Sequence, residues 1–342
     1  MTHPEAVPSR RLGARKPPAT IYDVAKATGV SPSTVSRALN KPGRLNQATE
    51  QRIRDAADAL GYQINPMARA LPTGKTGTLA MLVSDITNPV YFDLVRGAEG
   101  VASLNSMTLV FAESQESAFL ERATAQRLQA SVDGLLLVAS RLDDSLIQEL
   151  ADAKPLVVAN RLVPGVPAVV PDVRPGIEGA LNQLHSLGHR RIAYLGGPEA
   201  SWMNGARWQA LFDLAIEREM SIVEIKSDAP TREGGASAVG RVIAADVTAV
   251  LAYNDLIALG LLRECRARGI DVPGRLSIID FDDIFGADLP TPALSTIKSP
   301  LAEIGGEAIR RLLDDVDGRE GEPGDVLPTT FISRESVAAP GR

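Results

Sequence analysis

The chain has 342 residues, 44% hydrophobic and 23% charged, with a net charge of −6 at neutral pH; at ~100–200 residues per domain this predicts two or three domains with a full hydrophobic core and excludes a mostly disordered or collagen-like chain. No run approaches ~18 consecutive apolar residues, and the first twenty carry Arg10, Arg11, Arg15 and Lys16 with no apolar core, so neither a membrane span nor a secretory leader is expected. The lone Cys265 can form neither an internal disulfide nor a metal cluster by itself, which points to a reducing, cytoplasmic compartment.

Residues 1–75 hold twelve Lys and Arg against five acids, a charge of +7, which leaves −13 on the rest. A basic head on an acidic body suits a polyanionic partner, although basic tails also occur without one. Residues 1–19, poor in apolar side chains and rich in Pro and Arg, are read as a disordered basic tail. Thr20-Ile21-Tyr22-Asp23 is a capping-box-like helix start, and Thr28-Gly29 ends that helix. Ser31-Pro32 then places an N-cap serine before a proline at the first helical position, and the second helix runs to about Asn40. A third helix fits 46–60, with Ile53, Ala56, Ala57 and Leu60 along one stripe and Gly61 as the stop.

Two short helices joined by a glycine-containing turn and braced by a third form a helix-turn-helix unit, over 20–64, whose second helix can enter the major groove. Val24, Val30, Val35 and Leu39 are its expected core. Pro32, Ser33 and Arg37 then face outward, Arg37 with reach to a guanine edge or a phosphate, while Lys26, Thr34 and Ser36 suit phosphate contact. A solvated helix pair serving protein contacts is the plainer alternative.

The runs ATIYDVAKATGVSPSTVSRALN at 19–40 and TEQRIRDAADALGYQINPMARAL at 49–71 resemble the head of the LacI/GalR family of bacterial transcription regulators. The resemblance continues in order through GLLLVAS (134–140), LHSLGHRRIAYLGGP (184–198), AYNDLIALG (252–260) and LSTIKSPLAEIG (294–305). It implies an all-α helix-turn-helix head on an α/β body of two periplasmic-binding-protein-like lobes with doubly wound parallel sheets. It also implies a homodimer on double-stranded operator DNA, associated with the nucleoid, and a small-molecule effector such as a sugar. On the head it adds Thr20, Tyr22, Ser31 and Asn40 to the DNA-contacting set.

Residues 65–77 form the next segment. Asn65 and Pro66 can open a helix that Pro72 stops, too short to be stable alone in water. The resemblance makes it a hinge helix that pairs with its dimer mate in the minor groove, with Leu71 as the wedge between base steps, Ala68 at the partner contact and Arg69 on the groove. Pro72 departs from the family, where a basic residue is frequent. A plain linker is the alternative.

Residues 78–342 form the body. Apolar runs at 79–83, 108–111, 135–138, 156–159, 169–170, 192–195, 222–225, 250–252 and 277–280 alternate with helical stretches, as in parallel sheets flanked by helices. Nine strands suit two lobes better than one sheet. By resemblance, lobe 1 is 78–171 with 299–325, returning as Ala302–Leu313, and lobe 2 is 172–295 with 326–342, with crossovers near Pro171, Ser295–Pro300 and Gly324–Val326. Ligands of such sheets bind beyond the carboxyl ends of the strands. There the family match places Tyr91, Phe92, Ser201, Met203, Arg207, Ala229, Asn254 and Asp282, with Trp202 beside them; Asn160 and Arg161 also follow a strand. Arg207 and Asp282 offer a donor and an acceptor for hydroxyls or a carboxylate, and Tyr91, Phe92 and Trp202 offer flat faces. Phe92 could equally be core, Asn254 and Asp255 could cap a helix, and Arg207 with Asp282 could be a structural ion pair. Ala229 and Met203 depart from the family's commoner residues, which blurs the effector's chemistry.

No cofactor or metal is expected. On a strand Asp280 and Asp282 face one side and Asp283 the other, Gly196-Gly197-Pro198 lacks the spacing of a dinucleotide loop, and His185 with His189 reads as helix-end capping. No GxSxG elbow is present, so an enzyme is not expected. The sequence reading is a ligand-responsive, sequence-specific DNA-binding regulator, with a solute-binding protein as the alternative.

Overall fold

Thr20 opens the first helix, α1 (Ile21–Thr28), by exchanging bonds with Asp23: its backbone N–H and hydroxyl donate to the Asp23 carboxylate at 2.8 and 2.7 Å. Those bonds, the backbone one foremost, hold the Asp23 carboxyl below its ordinary range. Gly29 takes a left-handed φ of 68°, which turns the chain at little steric cost. In α2 (Pro32–Asn40) the Ser31 hydroxyl accepts from the Thr34 N–H at 3.2 Å, and in α3 (Gln47–Leu60) the Asn46 side chain accepts from Ala48 at 2.9 Å. Val24, Ala25, Val35, Ala38, Ile53 and Ala57 close the core between them. Val30 and Leu39 of the expected core are only partly buried, since α2 turns Val35 and Ala38, three residues apart, toward its neighbours, and Leu60 at the end of α3 is 43% exposed.

This computed structural model describes residues 19–40, 43–62, 75–319 and 324–341. The chain divides into two units, Met1–Thr76 and Gly77–Arg342. The expected tail, the Asn40 side chain and the expected hinge helix with Ala68, Arg69 and Leu71 lie outside the described residues.

The body begins with β1 (Thr78–Val83), α4 (Val90–Leu104), β2 (Thr108–Glu113), α5 (Ala118–Gln129), β3 (Gly134–Val138), α6 (Asp144–Ala153), β4 (Leu156–Ala159) and β5 (Ala168–Asp172). It continues through α7 (Val173–Ser186), β6 (Arg191–Gly196), α8 (Trp202–Ile216), β7 (Ser221–Lys226), α9 (Arg232–Ala244), β8 (Ala249–Ala252), α10 (Asp255–Ala267), β9 (Ser277–Asp282) and β10 (Ser295–Lys298). Then come α11 (Leu301–Val316), β11 (Gly324–Pro328) and β12 (Thr330–Ile332). The strands form two six-stranded sheets, β11-β5-β4-β3-β1-β2 and β12-β10-β9-β8-β6-β7, parallel except for the β10–β12 pair. β3, β4, β8 and β9 are buried along their whole length, as expected of strands covered by helices on both faces.

Each lobe is therefore a sheet with a hydrophobic cluster on either side. The nine expected strands all form, and β10, β11 and β12 are additional. Ser295–Lys298, read as a crossover, is a strand paired with β9, so the second passage falls at Ser299–Pro300. β11 pairs with β5 as far as Pro328, which moves the third passage from 324–326 to Thr329. The return to lobe 1 at 302–313 is helix α11. Thr329 is buried and donates through its hydroxyl to the Asp172 carbonyl at 2.7 Å, tying the first and third crossovers together.

His189 does not serve as a cap through its side chain. Its ring is buried, with Nδ1 2.8 Å from the Thr248 hydroxyl and Nε2 donating to the Ala338 carbonyl at 2.8 Å, so it staples the carboxyl-terminal segment to lobe 2. Burial lowers its pKa below the ordinary 6.5. The unfolded chain therefore takes up a proton that the folded one resists, and this contribution is complete above pH 6.5 and declines as the pH falls below it. Urea unfolding between pH 7 and 5 should show a shallower loss of stability in His189→Gln than in the unmodified chain; equal slopes would remove His189 as the cause.

Candidate functional site

In the head, the exposed side of α2 carries the expected DNA-facing residues. Ser33 and Arg37 are exposed, while Pro32, Thr34 and Ser36 are partly buried. Arg37 makes no ion pair among the described residues. Tyr22 on α1 is 71% exposed and Thr20 is exposed beside it. The Ser31 hydroxyl bridges Ser33 and Thr34, each at 2.8 Å, so the polar first turn of α2 is held rigid. A basic, hydroxyl-rich helix start can dock on phosphates and base edges.

In the body, loops at the carboxyl ends of strands from both lobes meet around a cleft. Lobe 1 contributes Asn88, Val90 and Tyr91 after β1, Glu116 after β2, Ala139 and Arg141 after β3, and Asn160 after β4. Lobe 2 contributes Met203 and Arg207 from α8, Pro230 after β7, Tyr253 and Asn254 after β8, and Asp282 at the end of β9. Four of these non-glycine residues have left-handed backbones: Glu116 at φ 59°, Ala139 at 50°, Asn160 at 58° and Asp282 at 98°. Such strain costs of order 1–3 kcal/mol per residue and concentrates where a side chain must be aimed.

Arg207 is buried at the centre of the lobe 2 wall. Its Nη2 donates to Asp282 Oδ1 at 2.5 Å, its Nη1 to the Tyr253 carbonyl, and its guanidinium lies 4.4 Å from the Phe281 ring centre. Burial, the largest single influence, opposes the charged guanidinium, but Asp282 together with Tyr253 and Tyr194 outweighs it and the pKa is raised. Asp282 also accepts from the Ser299 hydroxyl at 3.1 Å. Lobe 1 carries a counterpart: Arg141 Nε donates to Glu116 at 2.7 Å and Nη1 to the Ala139 carbonyl at 2.7 Å. Tyr91 is buried, its hydroxyl 2.5 Å from Ser84 Oγ, and burial raises its pKa. Behind Asp282, Asp255 and Asp280 are fully enclosed, and burial followed by carboxylate neighbours raises the pKa of Asp255 well above the carboxylate range. Arg207 Nε and Asn160 Oδ1 are buried without a hydrogen-bond partner.

The structure brings together Tyr91, Met203, Arg207, Asn254 and Asp282 of the expected set. Ser201 and Trp202 instead line a neighbouring cavity with Arg161 and Glu199. Phe92 is 52% exposed, outside both linings, because it follows the inward-turned Tyr91 on α4. Asn254 lines the cleft and also caps α10, accepting from Ile257 at 2.9 Å; Asp255 is not the cap but accepts from the Ile284 N–H at 3.2 Å. Glu116, Arg141, Asn88 and Tyr253 were not in the expected set. Their signal is position, one to five residues beyond a strand, which marks loops without saying which side chains turn inward. Cys265 lies in the core, and burial pushes its thiol up to about 11, so it is not a nucleophile.

An exposed hydroxyl-rich helix-turn-helix and, on the same chain, a two-lobed body with a polar cleft are the parts of a DNA-reading regulator. Residues 20–65 match the bacterial regulatory proteins of the lacI family, and 181–337 match the periplasmic binding protein-like domain. The HTH-type transcriptional repressor CytR of Escherichia coli K12 is 33% identical over 335 residues, covering 94% of this chain and 97% of its own. The regulator DegA of Bacillus subtilis 168 is 32% identical, covering 93% and 98%. The lac repressor dimer bound to operator and the anti-inducer ONPF shares the fold, with a TM-score of 0.86 at 23% identity over 94% of this chain and all of that one. The CelR–cellobiose complex has a TM-score of 0.70 at 30% identity over 93% and 99%. The chain belongs to the lacI family of bacterial regulatory proteins.

Removing one partner of the buried Arg207–Asp282 pair leaves an uncompensated charge, which costs about 3–5 kcal/mol, whereas replacing both by apolar residues is far milder. Urea denaturation should therefore show Asp282→Ala strongly destabilised and the double variant Arg207→Met/Asp282→Leu recovering most of the loss. A loss under about 1 kcal/mol in Asp282→Ala would show the pair to be structurally idle.

Proposed function

We propose that the chain is a transcriptional repressor that grips a near-palindromic operator as a dimer and releases or tightens its grip when a small metabolite occupies the cleft. Ser31, Pro32, Ser33 and Arg37 meet the major groove, with Arg37 on a base edge; Thr20, Tyr22, Thr34, Ser36 and Asn40 position the head on phosphates. Ala68, Arg69 and Leu71 form the minor-groove element of a hinge over 65–77, with Leu71 as the wedge. The protein acts in the cytoplasm, by binding and not by catalysis.

The observation that carries the effector reading is the cleft itself: two arginine–carboxylate pairs, one from each lobe, at the carboxyl ends of parallel strands, with Arg207 Nε and Asn160 Oδ1 buried and unbonded. Buried polar atoms seek partners, and hydroxyls of a sugar or related metabolite supply them. Solved relatives agree: the lac repressor dimer is bound to operator, a regulator from Enterococcus faecium holds ribose, and CelR holds cellobiose. Ser299, in the second crossover, bonds Asp282, so ligand contact on Asp282 reaches a segment that joins the lobes. Coupling between cleft and head is then a shift between two lobe arrangements, each favoured by one ligand.

Gel-shift titration across a salt series tests the DNA half. Affinity for duplex should fall steeply as salt rises, because phosphate contacts release counterions. Arg37→Ala should lower specific binding by at least about fivefold, the lower end for a lost bidentate base contact. Leu71→Gly should cut specific binding while sparing non-specific binding; equal loss of both would refute the wedge, and salt-indifferent binding would refute the reader.

A further inference from the structure

The cleft and the larger recess outside it share no lining residue, and the Tyr253 and Ser201 hydroxyls meet at their boundary. The inner cavity holds about 40 Å³ and the outer about 590 Å³. In this arrangement the first has room for little more than one water, and the second is a wide recess open to solvent. Tyr253 lines the inner cavity and Ser201 the outer, and their hydroxyls are 3.0 Å apart.

Tyr253 is held on several sides. Its carbonyl accepts from Arg207, whose guanidinium lies 5.2 Å from its ring centre. Its ring packs on Gly197 so closely that a Cβ there would come within 2.5 Å of ring carbons, so only glycine leaves the ring this position. Ser201, Arg207, Gly197 and Tyr253 all belong to lobe 2, so the Tyr253–Ser201 contact lies within a single lobe. The division continues on lobe 1, where Asn160 lines the inner cavity and Arg161 the outer. Arg161 is fixed there by the Ser140 and Leu142 carbonyls and by Asp144 at 2.8, 2.6 and 2.6 Å.

We propose that Tyr253 is a specificity-determining gate that sets the upper size of the effector. In this arrangement the inner cleft has room for little more than one water, so a single polar ring enters only as the lobes part, and while Tyr253 is pinned to Ser201 a bulky substituent on that ring is excluded. Without the tyrosine the two cavities merge, and the outer one, bordered by Trp202, receives a second ring. This inference rests on the effector reading of the cleft.

The test is a thermal-shift panel on the full chain with D-ribose, D-glucose and D-galactose and with the p-nitrophenyl β-glycosides of the same sugars, using unmodified protein, Tyr253→Phe and Tyr253→Ala. At saturating ligand the free sugar that binds should raise the melting temperature of the unmodified protein by about 3 °C or more, and its glycoside by less than about 1 °C. In Tyr253→Ala the glycoside shift should equal or exceed that of the free sugar. Tyr253→Phe, which keeps the ring and loses only the hydroxyl, should respond to the glycoside to an intermediate degree, and it carries the test if Tyr253→Ala does not fold. A glycoside that shifts the unmodified protein as much as the free sugar overturns the gate, as does a gain from neither variant. If no compound shifts any of the three proteins, the sugar reading of the cleft fails first and the gate with it.

Discussion

A buried guanidinium is the feature on which the rest of the body depends. Taking Arg207 out of water costs several kcal/mol unless its donors are met. The Nη donors are met by Asp282 at the end of β9 and by the Tyr253 carbonyl after β8, while Nε is left without a partner, so one side chain on α8 fixes the ends of two neighbouring strands. Asp282 can turn toward Arg207 because its backbone accepts a φ of 98°, and Ser299 closes the other side of its carboxylate. The same group that organises the lobe 2 wall is thus in bonding contact with the connection to lobe 1. Structural and ligand-binding readings of this pair are compatible: the pair pre-orients donors and acceptors, and a ligand finds them already held.

Lobe 1 solves a similar problem with Arg141 and Glu116, placed by the loops after β3 and β2. The parallel topology explains the convergence. Every strand around the cleft ends on the same edge of its sheet, so loops from separate parts of the chain meet there, and their side chains can change without disturbing the buried strands. The head obeys a different economy, with a core of six small and branched side chains and its functional groups turned outward.

Elements with a strong local signal were legible in the sequence. The helix starts at Thr20, Ser31 and Asn46 lie where capping chemistry puts them, and the long apolar runs are the buried strands. β10, β11 and β12 were not legible, since Ser-Thr-Ile-Lys and its short successors carry too few apolar residues to show a period; they exist because the sheets pair them. In the cleft, Arg207, Asp282 and Asn254 could be placed by family pattern, but the orientation of neighbours could not. Tyr91 turns inward and Phe92 outward by one step along a helix. Tyr253, Glu116 and Arg141 lie in loops whose paths depend on backbone conformations that no local pattern announces. His189 looked like a helix end and is a staple, because its partner at Ala338 is far away in sequence.

A reader at one end of the chain and a sensor at the other amount to regulation only if the two exchange free energy. The direct measurement is reciprocal titration at fixed salt, using the duplex that the protein itself selects from a random pool. DNA affinity is measured with and without the cleft ligand, and ligand affinity with and without the duplex. Both should change by the same factor, about 5- to 150-fold, and Arg207→Ala should abolish both changes. A duplex affinity indifferent to a ligand that saturates the cleft would contradict the regulatory coupling outright.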